Sequence, residues 1–167
     1  MNWKKVSLAI KPWAPDATSD AWLPYVAKTA LISAVAAVLL HNLAGFVGVG
    51  LFGLQMPMPV TRDSGFFDWL MVVVVGPLLE SVLVYPVCLF SIKNFPDRIF
   101  GAAILIGATA GLLHGLVSPF WFFGPAISFF VWSLAWFKWK AAHRPRSLLI
   151  LLLPHMIQNF LSMLLMG

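Results

Sequence analysis

At 167 residues, with 60% hydrophobic and only 10% charged side chains and a mean hydropathy of +0.89, the chain is far from the roughly one-quarter charged content of a soluble domain. It reads as an integral membrane protein with room for one compact bundle, because each spanning helix uses about 20 apolar residues. The formal charge of +5 sits in short Lys/Arg clusters between apolar stretches, without the aromatic-basic surface that a nucleic-acid partner requires, so none is expected.

Residues 1–27 read as an interfacial arm. Trp3, Val6, Leu8, Ile10 and Trp13 mingle with Lys4, Lys5 and Lys11, a mixture suited to the headgroup region, and the stretch lacks the apolar core and cleavage site of a signal peptide. Residues 28–167 are expected to form a single transmembrane helical domain. The first span, about 28–54, carries His41 and Asn42 and ends among Gly45, Gly48, Gly50 and Gly53, where a neighbouring helix can approach closely. A polar, proline-containing stretch leads to the second span, about 66–92, which holds Glu80, Pro77 and Pro86; the prolines should kink or locally open it. The third span, about 99–118, contains Gly111, His114 and Gly115; the fourth, about 119–137, is aromatic and uncharged; the fifth, about 147–165, contains His155 and Asn159.

Lys4, Lys5, Lys11 and Lys28, then Lys93 and Arg98, then Lys138, Lys140, Arg144 and Arg146 all fall on one side of this layout, while the other side has Arg62 beside Asp63. Lysine and arginine near span ends are biased to the cytoplasm. The fold class is therefore all-α, a polytopic membrane helix bundle of about five transmembrane helices, with the N-terminus inside and the C-terminus outside. A cell inner (plasma) membrane is the expected location. Cys88 is the only cysteine, which excludes an internal disulfide and a cysteine-based metal cluster.

Glu80 is the only glutamate in the chain, and between Phe66 and Phe90 the only other charge is Asp68. An ionised carboxylate at the bilayer centre costs roughly 2.5 to 3.5 kcal/mol on insertion scales, so its retention points to a task. His114 lies between Gly111 and Gly115, where absent side chains open space beside the imidazole and allow tight packing or access for a substrate backbone. His155 and Asn159 are four apart on one helix and face the same way. The bland alternative for each imidazole is interhelical hydrogen bonding. His41 and Asn42 read as packing or interfacial groups, His143 as solvated, and Trp121, Phe122, Trp132 and Trp136 as anchors and packing.

Taken together and in order, these groups resemble the CAAX protease and bacteriocin-processing (CPBP/Abi) family of glutamate-dependent intramembrane endopeptidases, over about residues 66–167. Pro77-Leu78-Leu79-Glu80-Ser81 keeps the proline and first glutamate of the family's first motif, whereas Ser81 and Tyr85 replace its second glutamate and arginine. His114 keeps the histidine of the second motif, with Ala110 in place of the aromatic residue, and His155-Met156-Ile157-Gln158-Asn159 matches the third. The resemblance implies a glutamic-type protease that hydrolyses a peptide bond in a membrane-associated protein or peptide. Glu80 and His114 would activate water, and His155 and Asn159 would stabilise the oxyanion, with no cofactor and no metal. A carboxylate held away from bulk water is a better base near neutral pH, and donors on a developing oxyanion contribute about 3 to 4 kcal/mol each.

Three alternatives stand beside it. The same pocket can be a zinc site with Glu80, His114 and His155 as ligands, although a paired-histidine zinc signature is absent. The chain can be a non-catalytic membrane immunity or scaffold protein of the same fold. Proton or ion transport would use the same acid and histidines as a relay, against which stands the lack of an inverted repeat.

Overall fold

The computed structural model describes residues 22–53, 65–142 and 146–166, and all regular structure within them is helical. Five helices follow in order: α1 (Trp22–Phe52), α2 (Phe66–Asn94), α3 (Ile99–Gly115), α4 (Phe123–Ala141) and α5 (Ser147–Met166). Short 3₁₀ turns, Pro96–Arg98 and Pro119–Trp121, lead into α3 and α4. Each of the five is long and apolar enough to cross a membrane. Large apolar side chains such as Leu31, Leu39, Phe46, Leu51 and Leu112 are exposed, as suits a bundle whose solvent is lipid. The protein is an all-α, multi-pass membrane helix bundle.

The first helix begins earlier than the sequence suggests. Residues 22–27 belong to α1, because Pro24 is tolerated in a first helical turn and the next two side chains have tertiary partners. Tyr25 and Val26 are buried, and the Tyr25 hydroxyl donates to the Ala135 carbonyl at 2.8 Å. Residues 1–21, the rest of the expected interfacial arm, and His143 lie outside the described residues. At the other ends, α2 runs on to Asn94, whose side-chain amide donates to the Phe90 carbonyl at 2.8 Å, and α4 runs on to Ala141.

The aromatic helix α4, which carries charge only at Lys138 and Lys140 in its last turn, is the hub, packing on α1, α3 and α5. Trp132, Trp136, Phe137 and Trp139 are all buried, so these four serve packing, whereas Trp121 and Phe122 are only partly buried. Trp132 Nε1 donates to the Ser33 hydroxyl at 2.9 Å, which joins α1 to α4. Helix α3 meets α4 backbone to backbone: a Cβ on Gly107 would stand 2.4 Å from the Ala126 carbonyl oxygen, and one on Gly111 would stand 2.7 Å from the Phe122 carbonyl oxygen. Small residues allow this approach, and in lipid such packing is a main source of helix association. At the end of the bundle that carries the basic loops, Arg146 adopts a left-handed conformation (φ 61°) just before α5, and its guanidinium lies 5.2 Å from the Trp22 ring centroid.

The expected proline effects fall on one proline. Ahead of Pro77, residues Met71–Val75 form a π-helical turn, while the helix continues unbroken through Pro86. Helix α2 packs chiefly on α5 and meets α3 over a smaller area. The gap between α2 and α3 is a cleft of about 890 Å³.

Candidate active site

Glu80 on α2, His114 on α3 and His155 on α5 converge. One carboxylate oxygen of Glu80 lies 3.9 Å from His114 Nε2 and the other lies 3.9 Å from His155 Nε2. Counting residues from the span ends sets His114 and His155 at different depths, yet both reach the same carboxylate. A separation of 3.9 Å is too long for a direct hydrogen bond, but two such atoms can share one water about 2.8 Å from each.

The two imidazoles are not equivalent. His114 Nδ1 lies 2.8 Å from the Ala110 carbonyl oxygen; a carbonyl only accepts, so Nδ1 carries a hydrogen, and the neutral form of the ring would then turn the Nε2 lone pair toward Glu80. A lone pair and an ionised carboxylate facing each other need a proton between them. A water donating to both would supply it.

His155 is sealed on every other side. Its side chain is 5% exposed, against 33% for His114 and 36% for Glu80. Its ring lies 4.5 Å from Trp132, tilted by 32°, and edge-on to Phe129 at 5.2 Å. Nδ1 is buried without a hydrogen-bond partner among the described residues. A buried N–H left without an acceptor costs about 1 to 3 kcal/mol, so the proton belongs on Nε2, where it points at Glu80. The site thus offers a carboxylate, an acceptor nitrogen from α3 and a donor nitrogen from α5.

Asn159, the fourth residue singled out from sequence, is one turn along α5 from His155, and its amide is already engaged. Asn159 Nδ2 donates to the Val72 carbonyl at 2.9 Å, inside the π-helical turn of α2. Any contact with a reacting oxygen must use its second N–H. The neighbouring Gln158 turns the other way, donating to the Ser128 hydroxyl at 2.7 Å.

Glu80 and His114 line the α2–α3 cleft, whose other walls include Leu83, Val87, Leu105 and Leu113, and which extends to Phe95 and Arg98. Its volume lies within the usual range of ligand sites. Tyr85 shares a hydrogen bond of 3.2 Å with the Ser147 hydroxyl and lies edge-on to Trp136 at 5.7 Å, tying α2 to α5 and α4. Ser81 is buried. His41 and Asn42 lie on α1 and do not line this cleft. Among the described residues, no group of three or more His, Cys, Asp or Glu is arranged to hold a metal ion.

Two contributors escaped the sequence reading. Trp132 holds the His155 ring, and the Val72 carbonyl receives Asn159. Trp132 bears no signal beyond its aromaticity, whereas the Val72 contact has one in Pro77, five residues on. The chain matches no family model, no curated protein and no solved structure.

Proposed function

We propose that the protein is an intramembrane endopeptidase of the CPBP/Abi kind, working in the cell inner (plasma) membrane on a peptide bond of a membrane-anchored protein or peptide. The observation that carries this reading is the placement of both Glu80 carboxylate oxygens 3.9 Å from an imidazole nitrogen, beside a cleft of peptide-accommodating size.

In this mechanism water sits between Glu80 and His114, donating to the carboxylate and to the His114 Nε2 lone pair. Glu80 takes one proton as the water oxygen attacks the carbonyl carbon of the scissile bond. The former carbonyl oxygen becomes an oxyanion, which receives His155 Nε2–H and the second N–H of Asn159. Glu80 then passes its proton to the departing nitrogen, the C–N bond breaks, and a carboxyl and an amine remain. His114, held by the Ala110 carbonyl, keeps the water in line, and His155, held by Trp132, cannot swing out of the way. The apolar cleft walls keep bulk water from the reacting groups, which strengthens each electrostatic contact.

A non-catalytic immunity or scaffold protein is the rival, favoured by Ser81 and Tyr85 in place of the motif glutamate and arginine. Reconstituted protein incubated with membrane-inserted peptides in ¹⁸O-labelled water separates the two. Hydrolysis places one ¹⁸O in each newly formed C-terminal carboxyl, and Glu80→Gln abolishes it. Labelled products formed equally by wild type and Glu80→Gln, or no products from wild type across a broad set of inserted peptides, would count against the proposal.

A further inference from the structure

The π-helical turn of α2 raises a question of hydrogen-bond accounting. In its register the Gly76 N–H donates to the Met71 carbonyl, five residues back. The next bond in that register would run from residue 77 to the Val72 carbonyl, but residue 77 is proline and has no N–H. In lipid no water stands ready to satisfy an exposed carbonyl, so a side chain must do so. Asn159 Nδ2 fills that place at 2.9 Å. Gly76 suits the turn as well, since a Cβ there would come within 3.1 Å of the Met71 carbonyl oxygen.

We infer that Asn159 is a positioning residue, which locks the Glu80-bearing helix to α5 by capping the Val72 carbonyl that Pro77 leaves without a backbone donor. Val72 precedes Glu80 by eight residues, about 12 Å along the axis. His155 and Asn159 leave α5 one turn apart, so a single helix presents one group to the Glu80 carboxylate and another to the turn that precedes it. Rotation or sliding of α2 against α5 breaks both contacts at once. Tyr85 and Ser147 make a further bond between the same two helices on the far side of Glu80, leaving the carboxylate bracketed along α2. This role rests on Glu80 being the functional centre proposed above, but it needs no particular reaction.

The test uses the full chain in phospholipid nanodiscs. Because Glu80 is the only glutamate, ¹³C labelling of glutamate gives one side-chain carboxyl whose NMR titration reports its surroundings. Four proteins are compared: wild type, Asn159→Leu, Pro77→Ala and the double variant. Alanine at 77 restores an N–H, which frees the Val72 carbonyl from dependence on Asn159 whether α2 keeps the π turn or relaxes to an α-helix. Asn159→Leu is expected to displace the Glu80 titration midpoint by about half a pH unit or more, the scale of a factor of three in an equilibrium constant. In the Pro77→Ala background the same substitution is expected to be silent. A silent Asn159→Leu, or a double variant displaced from Pro77→Ala as far as Asn159→Leu is from wild type, would overturn the inference. Where Asn159→Leu alone does not fold, the comparison of Pro77→Ala with the double variant decides: coincident curves support capping, and diverging curves reject it. None of these outcomes involves a substrate, so failure of the positioning role and failure of the protease proposal are distinguishable.

Discussion

At the residue scale, the proposed mechanism divides the work among Glu80, His114 and His155 by what their nitrogens and oxygens are free to do. His114 has its Nδ1–H committed to Ala110, so it serves as an acceptor; His155 has Nδ1 sealed among aromatic rings, so it serves as a donor. Replacing His155 by Phe keeps a ring between Phe129 and Trp132 while removing Nε2–H. The expected result is a fall of about 10²- to 10³-fold in kcat, as for loss of one oxyanion donor, with little change in folding stability. Assay of the purified variant together with its unfolding in a bilayer checks both halves. Glu80 was readable in the sequence because a lone acid in an apolar span has few bland explanations. Asn159 was readable as a polar group on the His155 face, but its partner was not: the bond to Val72 depends on a helix register that no spacing rule announces.

At the element scale, the position of His114 follows from how closely α3 lies on α4. Gly107 and Gly111 leave no room for a methyl group, whereas a Cβ on Gly115 would meet Phe122 at an ordinary 3.4 Å. Alanine at 107 or 111 should overpack the interface, destabilise the bundle by about 1 to 3 kcal/mol, and push His114 away from Glu80 with loss of activity. Alanine at 115 should be tolerated in both respects. Folding free energies in nanodiscs and turnover of the same three variants test this contrast, and equal effects at all three would speak against backbone contact as the reason for the glycines. The five spans were legible from hydropathy alone, and so was the aromatic character of α4. Its place at the centre of the bundle was not, since hydropathy in a membrane protein does not separate lipid-facing from helix-facing surfaces. Nor was the start of α1 at Trp22, which depends on the tertiary bond from Tyr25 to Ala135.

At the scale of the whole molecule, the distribution of basic residues sets the orientation, and orientation decides from which side a substrate meets the cleft. Arg98 at one end of the cleft and Lys93 nearby are expected on the cytoplasmic side if the positive-inside rule holds for this chain. With Cys88 replaced by Ser, a single cysteine at Asp97 should react with a membrane-impermeant thiol reagent only from the cytoplasm, and one at Asp68 only from outside; both positions are exposed. The reverse pattern would invert the topology and with it the entry side of the cleft. Hydrolysis by Glu80 remains the claim on which the functional account stands. Its most direct test is a comparison of the membrane-protein fragments in cells carrying wild type with those in cells carrying Glu80→Gln at equal protein level. The account predicts at least one membrane protein or peptide that is cut in the first and accumulates whole in the second. An identical set of fragments in both would contradict it.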